Sequence, residues 1–413
     1  MKVLMFGWEF PPFKSGGLGT ACYDLTKGLS RQGVDVTFVM PVAPDNANAQ
    51  FVKILGANNF AKNVKVRKIS SILTPYQSST SYNEALLKVK SKAGFNKESN
   101  DVYGQNLFME VQRYSIAAQE IAEEEKDNYD VIHVHDWMTY QAGINAKKVS
   151  GKPLVAHIHA TEFDRTGGNP NQLISHMEYK GLKAADIVIA NSNLTKENVI
   201  KHYNIDPGKI EVVHWGIDPE NPHYRLGQKN PFSDEKIVLF LGRITIQKGP
   251  DYFIEAASKV LKFVPKTKFV VAGSGDMFER MIARADQLGI LNNFLFTGFL
   301  RGADVHKAFQ MADLYVMPSV SEPFGLVALE SLKNGTPILI SKQSGVSEVV
   351  SHALKADFWD VDEMANKITN VLLYPELLSE LKDNSIREVG KFNLDVPAEK
   401  TRAIYEKALS IKR

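Results

Sequence analysis

Among 413 residues there is one cysteine, Cys22. That scarcity excludes an intramolecular disulfide and any cysteine-based metal cluster, and it fits a reducing cytosol. Cys22 sits at helical spacing beside Ala21 and Leu25, as a packed thiol would. An excess of charge is missing too: 49 basic residues face 47 acidic ones. No global field then draws the chain to nucleic acid or to an anionic membrane, and any anion site must be local. Long apolar runs are also absent. No window approaches 18 uncharged apolar residues, and the N-terminal MKVLMFGWEFPP has a single lysine and too short an apolar run for a secretory signal. The expectation is a soluble, cytoplasmic protein with no integral membrane segment, while attachment through an amphipathic helix stays open. No repeat of solenoid period is visible.

What is present is alternation. Short β-branched runs (Val3–Phe6, Val34–Met40, Val131–Val134, Leu154–Ile158, Ile187–Ala190) alternate with helical patterns. A second set follows: Ile237–Leu241, Lys268–Ala272, Phe294–Thr297, Leu314–Met317 and Pro337–Ile340. Several are continuously apolar, as strands buried on both faces of a parallel sheet must be, and the helices supply the crossovers. The fold class is α/β. The stretch Asp218–Lys236, rich in Pro and Asn, reads as an interdomain linker. Residues 77–104 are polar and aperiodic, either a lid or a mobile surface excursion. The last segment, 395–411, patterns as an amphipathic helix with Ile404, Ala408 and Ile411 on one side.

In open parallel sheets ligands sit at the carboxyl ends of the strands. The residues there are not scattered. Glu9, Lys14 and the glycines of KSGGLG follow the first strand, HDW (His135, Asp136, Trp137) follows the third, and HATEFDRTG begins with His159. In the second half come GRITIQKG with Arg243 and Lys248, GSGD opening on Gly273, and SEPFGLVALE with Glu322 and Glu330. Two cations in a glycine-bracketed loop can converge on one diphosphate, or can be ordinary solvated surface charges. Bare N–H groups ahead of a helix suit the same anion. Neither glycine motif has the G-x-G-x-x-G order, which disfavours a nicotinamide enzyme. Pro323 is expected to start a helix, leaving Glu322 on the loop and Glu330 about two turns along, where both could accept hydrogen bonds from sugar and ribose hydroxyls. His133, His135, His157 and His159 are paired at period two, so each pair shares a face. No metal is expected there: His133 and His157 read as buried, hydrogen-bonded strand residues, and His135 and His159 as emerging at the strand ends.

Taken together, KSGGLG, HDW, GRITIQKG and EPFGLVALE, in that order across the whole chain, resemble the retaining glycosyltransferases of the GT-B fold, in the glycogen and starch synthase group (families 4 and 5). The resemblance implies two facing Rossmann-like domains, residues 1–219 plus 393–413 on the acceptor side and 220–392 for the nucleotide-sugar. It implies ADP-glucose or UDP-glucose as donor, an α-1,4-glucan or other carbohydrate as acceptor, and no required cofactor. By the same resemblance Lys14, Gly16, Gly17, Arg243 and Lys248 approach the diphosphate, with Gly273 supporting. Glu322 and the backbone of Phe324, Gly325 and Leu326 bind the sugar, and Glu330 the ribose. His159 sits at the reacting centre, and Glu9 and Asp136 lie on the acceptor or sugar side. HATEFDRTG also resembles sucrose-related glucosyltransferases, so the acceptor is less determined than the donor. Another acceptor, a nucleotide-sugar epimerase and an inactive binding protein are the rival readings.

Overall fold

The computed structural model describes residues 1–10, 17–42, 64–70, 105–218 and 235–411. Lys14, Gly16, the 77–104 segment and most of the 218–236 linker lie outside the described residues.

Two parallel sheets carry the chain. The first has the order β3-β2-β1-β4-β5-β6-β7, with β1 Lys2–Phe6, β2 Asp35–Val42, β3 Val64–Ser70, β4 Val131–His135, β5 Leu154–Ile158, β6 Ile187–Ala190 and β7 Ile210–Val212. The second has the order β10-β9-β8-β11-β12-β13, with β8 Lys236–Leu241, β9 Thr267–Ala272, β10 Phe294–Gly298, β11 Leu314–Met317, β12 Ile338–Ser341 and β13 Leu354–Ala356. The expected α/β fold of two facing Rossmann-like sheets is therefore present. Burial explains the apolar runs: along β8, Ile237 and Leu239 join one hydrophobic core while Val238 and Phe240 join another on the opposite face.

In each sheet the order reverses beside the first strand, between β1 and β4 and between β8 and β11. Those switch points open a crevice at the carboxyl ends of the strands, where the loops carrying the sequence motifs emerge. Two segments connect the lobes side by side, the Ile217 N–H donating to the Phe392 carbonyl (3.2 Å). The last helix, Asp395–Ser410, then packs against helix Gly17–Arg31 and against β4 and β5. Ile404 and Ala408 are buried as the pattern anticipates, but Ile411 lies past the helix end and is exposed; Tyr405 takes the buried place. Among the described residues no helix is long and apolar enough to cross a membrane.

Candidate active site

In the second lobe the loop after β8 and the loop after β11 are laced together. The Gln247 side chain donates to the Ser321 carbonyl (3.1 Å) and accepts from Arg243 Nη2 (3.1 Å), and the Val320 N–H donates to the Gln247 carbonyl (2.9 Å). Lys248 Nζ forms an ion pair with Glu322 Oε2, which also accepts from Ser319 Oγ (3.2 Å). Gln247, buried, was not singled out by the sequence reading; its position between the two motif cations was the available signal. Arg243 is exposed, Lys248 half-buried and Glu322 buried.

The expected helix start at Pro323 is displaced. Glu322 instead forms a parallel bridge with Ser344 and the chain bends at Pro323, with the Gly345 N–H donating to the Glu322 carbonyl (2.9 Å) and the Val346 N–H to the Phe324 carbonyl (2.7 Å). The helix begins at Leu326, after Gly325, and Glu330 lies half-buried about one turn in. Phe324 is buried. The Gly273 N–H after β9 donates to the Gly298 carbonyl (2.8 Å), and the Ile244 N–H donates to the Ser274 carbonyl (2.9 Å), so GSGD lies against GRITIQKG.

In the first lobe, β4 and β5 place His135 directly opposite His157. The rings of His133, His135, His157 and His159 stack with centroids 4.3–5.5 Å apart, and Trp215 lies parallel to His157 at 5.1 Å. His133 Nδ1 is 2.6 Å from Tyr405 Oη. Two expectations need correction. His157 is buried but neither ring nitrogen has a hydrogen-bond partner, and His135 is not at the cleft but wholly buried. His135 is still a residue of β4, paired inside the sheet with His157, and the chain leaves the strand only at Asp136, held at φ +60°. Only His159 is partly exposed; its Nε2 lies 2.9 Å from His135 Nδ1, which leaves Nδ1 for the crevice. Burial and the nearby Arg165 charge lower the His159 pKa to about 3, so the ring is neutral near pH 7.

Asp136 is itself buried: Oδ1 accepts from the His159 N–H (2.8 Å) and Oδ2 pairs with Arg165 Nη2 (3.3 Å). Burial raises its pKa, against the Arg165 charge, which lowers it. Asn191 Nδ2 donates to the His159 carbonyl (2.9 Å). His159 is thus held from both sides of its backbone. Glu9 is fully buried near Cys22, and Gly17 opens the first helix at the surface. The lobes touch at the crevice, where Ser321 Oγ donates to Asp164 Oδ1 (2.5 Å) and Ser192 Oγ to the Pro323 carbonyl (2.6 Å).

Arg165 and Glu178 are the ion pair that sequence reading missed. Arg165 Nη1 bonds Glu178 Oε1 (2.8 Å), while Glu178 Oε2 accepts from the Glu162 N–H (3.0 Å) and from Tyr203 Oη. Burial raises the Glu178 pKa to about 7, outweighing Arg165 and the hydrogen bonds. The folded state therefore takes up a proton that the unfolded chain releases near pH 4.5, and this carboxyl's contribution to stability declines as pH rises from 4.5 through 7. Glu178→Gln keeps the site neutral. Its stability relative to wild type should climb by roughly 2–3 kcal/mol between pH 5 and pH 8. Constant effects of the substitution cancel in that comparison; parallel urea-unfolding curves at the two pH values would overturn it.

Comparison with known proteins bears on this arrangement. Residues 15–221 match the family model Glycosyltransferase Family 4, and residues 226–388 match Glycosyl transferases group 1. An uncharacterized glycosyltransferase of Methanocaldococcus jannaschii is 32% identical, covering 100% of this chain and 99% of that protein. A D-inositol 3-phosphate glycosyltransferase of Segniliparus rotundus is 29% identical over 68% of this chain and 67% of its own. A glycogen synthase of Mycobacterium tuberculosis is 26% identical over 85% and 80%. The structure of sucrose-phosphate synthase from Thermosynechococcus elongatus superposes with a TM-score of 0.76 at 18% identity, covering 100% of both chains. Anabaena HepE in complex with UDP-glucose superposes at 0.68 and 18% identity, covering 98% of this chain and 100% of that one.

Proposed function

This chain belongs to the glycosyltransferases of family 4, with a group 1 domain in its second half, and from that premise we propose that it is a retaining enzyme moving glucose from a nucleotide-glucose to the non-reducing end of an α-1,4-glucan. The observation that carries the reading is the joined pair of loops after β8 and β11. They hold Arg243, Lys248 and Glu322 together at the switch point of the second sheet. Arg243 and Lys248 bind the donor diphosphate, and Glu322, fixed by Lys248 and Ser319, accepts hydrogen bonds from the sugar hydroxyls. Gly273 supports the phosphates, Glu330 takes the ribose and the backbone of Phe324–Leu326 lines the sugar. Lys14, Gly16 and Gly17 approach from the first lobe.

The acceptor hydroxyl oxygen attacks the anomeric carbon while the carbon–oxygen bond to the diphosphate breaks, and the hydroxyl proton passes to the departing phosphate oxygen. Attack on the face the leaving group vacates retains configuration. Charge grows on the diphosphate, so fixed cations stabilise the transition state more than the ground state, by roughly 2–4 kcal/mol for each good contact. Neutral His159 orients the sugar rather than donating a proton to it. Asp136 acts through His159 by anchoring its N–H and pairing with Arg165. Glu9 lies on the acceptor side.

A second reading is supported by the D-inositol 3-phosphate glycosyltransferase relative: the same donor chemistry with a small phosphorylated polyol as acceptor. The test is release of nucleoside diphosphate from UDP-glucose and ADP-glucose, each alone, with glycogen and with inositol 3-phosphate. Release that requires glycogen is the expected result. Release stimulated only by the polyol phosphate would replace the glucan assignment, and no release with any acceptor would overturn the transferase reading.

A further inference from the structure

The fold brings together residues that lie far apart in sequence. Cys22, buried on helix Gly17–Arg31, lies against His135 at the end of β4 and His159 after β5. One potential ligand atom from each lies within 4.8 Å of the others. His133, His135 and His157 form a second such grouping, which shares His135 with the first. Buried histidine nitrogens without partners are costly and normally signal a bound water or ion. Here there are four, on fully buried side chains: His133 Nε2, His135 Nε2 and both nitrogens of His157. His135 belongs to both groupings: the atom it presents to His159 is Nδ1, 2.9 Å from His159 Nε2, while its Nε2 has no partner, so the shared ring is only half satisfied.

We propose that Cys22, His135 and His159 form a binding site for a thiophilic divalent cation of the zinc type. One thiolate and two neutral imidazoles are a ligand set that such ions accept, with a fourth position left to water or a substrate hydroxyl. Between the two imidazoles the fit needs little movement. Two imidazole nitrogens on one tetrahedral ion stand roughly 3.3 Å apart, given metal–nitrogen bonds of about 2.0–2.1 Å, against 2.9 Å between His135 Nδ1 and His159 Nε2. Burial, with the Glu9 and Asp136 carboxylates, pushes the Cys22 thiol pKa up, so the thiolate forms as the ion displaces its proton, and the same two carboxylates favour a dication there. His159 is also the residue assigned to the sugar, so an ion on it blocks transfer; this inhibitory consequence rests on the proposed function, whereas the binding itself does not.

The test uses the chelator-stripped full chain titrated with Co²⁺, then displaced by Zn²⁺. Wild type should take up one equivalent and show a thiolate-to-cobalt charge-transfer band with the intense visible bands of a four-coordinate ion. Cys22→Ser should lose the charge-transfer band and bind Zn²⁺ at least roughly tenfold more weakly. His135→Gln, followed in parallel and checked for folding by near-ultraviolet circular dichroism, should lose the visible bands. Bound Co²⁺ with no thiolate band, or no uptake by wild type, would overturn the site. In the transfer assay, one equivalent of Zn²⁺ should suppress wild type but not Cys22→Ser. Metal-free protein that transfers no sugar would count against the proposed function and leave the cobalt result standing.

Discussion

Arg243→Ala should lower sugar transfer by about 10²–10³-fold, the loss that follows removal of one fixed donor aimed at developing charge. The side chain is exposed and donates to Gln247, and interactions of an exposed side chain contribute modestly, so folding stability should change by about 1 kcal/mol or less. Lys248→Ala should cost at least as much activity and, unlike Arg243→Ala, should also destabilise, because buried Glu322 loses its ion-pair partner. The two cations act on one group, so their effects should fall short of additivity, and Glu322→Gln combined with Lys248→Ala should recover part of the stability but none of the rate. Initial rates of nucleoside diphosphate release, set beside thermal melts of the same variants, decide the matter. Arg243→Ala within about fivefold of wild type would remove the diphosphate from this loop.

Much of this arrangement is legible in the sequence because parallel α/β sheets have a fixed logic: buried strands read as apolar runs, and the loops at their carboxyl ends hold the ligand groups. Leu154–Ile158, Ile187–Ala190 and Leu314–Met317 are strands over the residues the pattern marks. The three strands it does not mark, β3, β7 and β13, are all at sheet edges. An edge strand has a neighbour on one side only and is not required to be apolar throughout; VKVRKIS in β3 and LKA in β13 carry lysines accordingly. The early helix expected at Pro323 fails for a different reason. The Glu322 and Phe324 carbonyls accept from the N–H groups of Gly345 and Val346, which satisfies the backbone in a way that local propensity does not register.

Pairings across long sequence separations are the part no motif reveals. Cys22 looks like an ordinary packed thiol beside Ala21 and Leu25, and only the tertiary packing of the first helix, which lies against β2 and the last helix, sets it against two histidines. Arg165, six residues after His159, looks like a surface cation on a short helix, yet it bridges Asp136 and Glu178 in the interior. Period two did place His133 with His135 and His157 with His159 on shared faces. It could not show that sheet register would stack the two pairs on each other and leave His135 in the core.

Gly249→Ala should destabilise the second lobe by about 3 kcal/mol and remove most activity. Gly249 ends the short turn that carries Lys248 and starts helix Pro250–Val260, at φ +65°, in the left-handed region that costs a side chain about 1 kcal/mol or more. Its more serious constraint is space, since a Cβ there would stand 2.0 Å from the carbonyl oxygen of Pro318. That oxygen is backbone at the exit of β11, so relief requires the loop after β8 and the loop after β11 to move apart. Those are the loops that join Lys248 to Glu322, and a misplacement of about 1 Å in such a pair can cost on the order of 10²-fold in rate. Gly289→Ala separates the two causes. Gly289 has a similar φ of +69° but open space where its Cβ would stand, so alanine there should cost only the backbone term, about 1 kcal/mol, and leave transfer unchanged. If both variants lose the same stability and both remain active, contact between the loops does not set the position of the cations we assign to the diphosphate. If Gly249→Ala alone loses activity while its lobe stays folded, the spacing of the two strand-end loops is what aligns Lys248 and Glu322 for the donor.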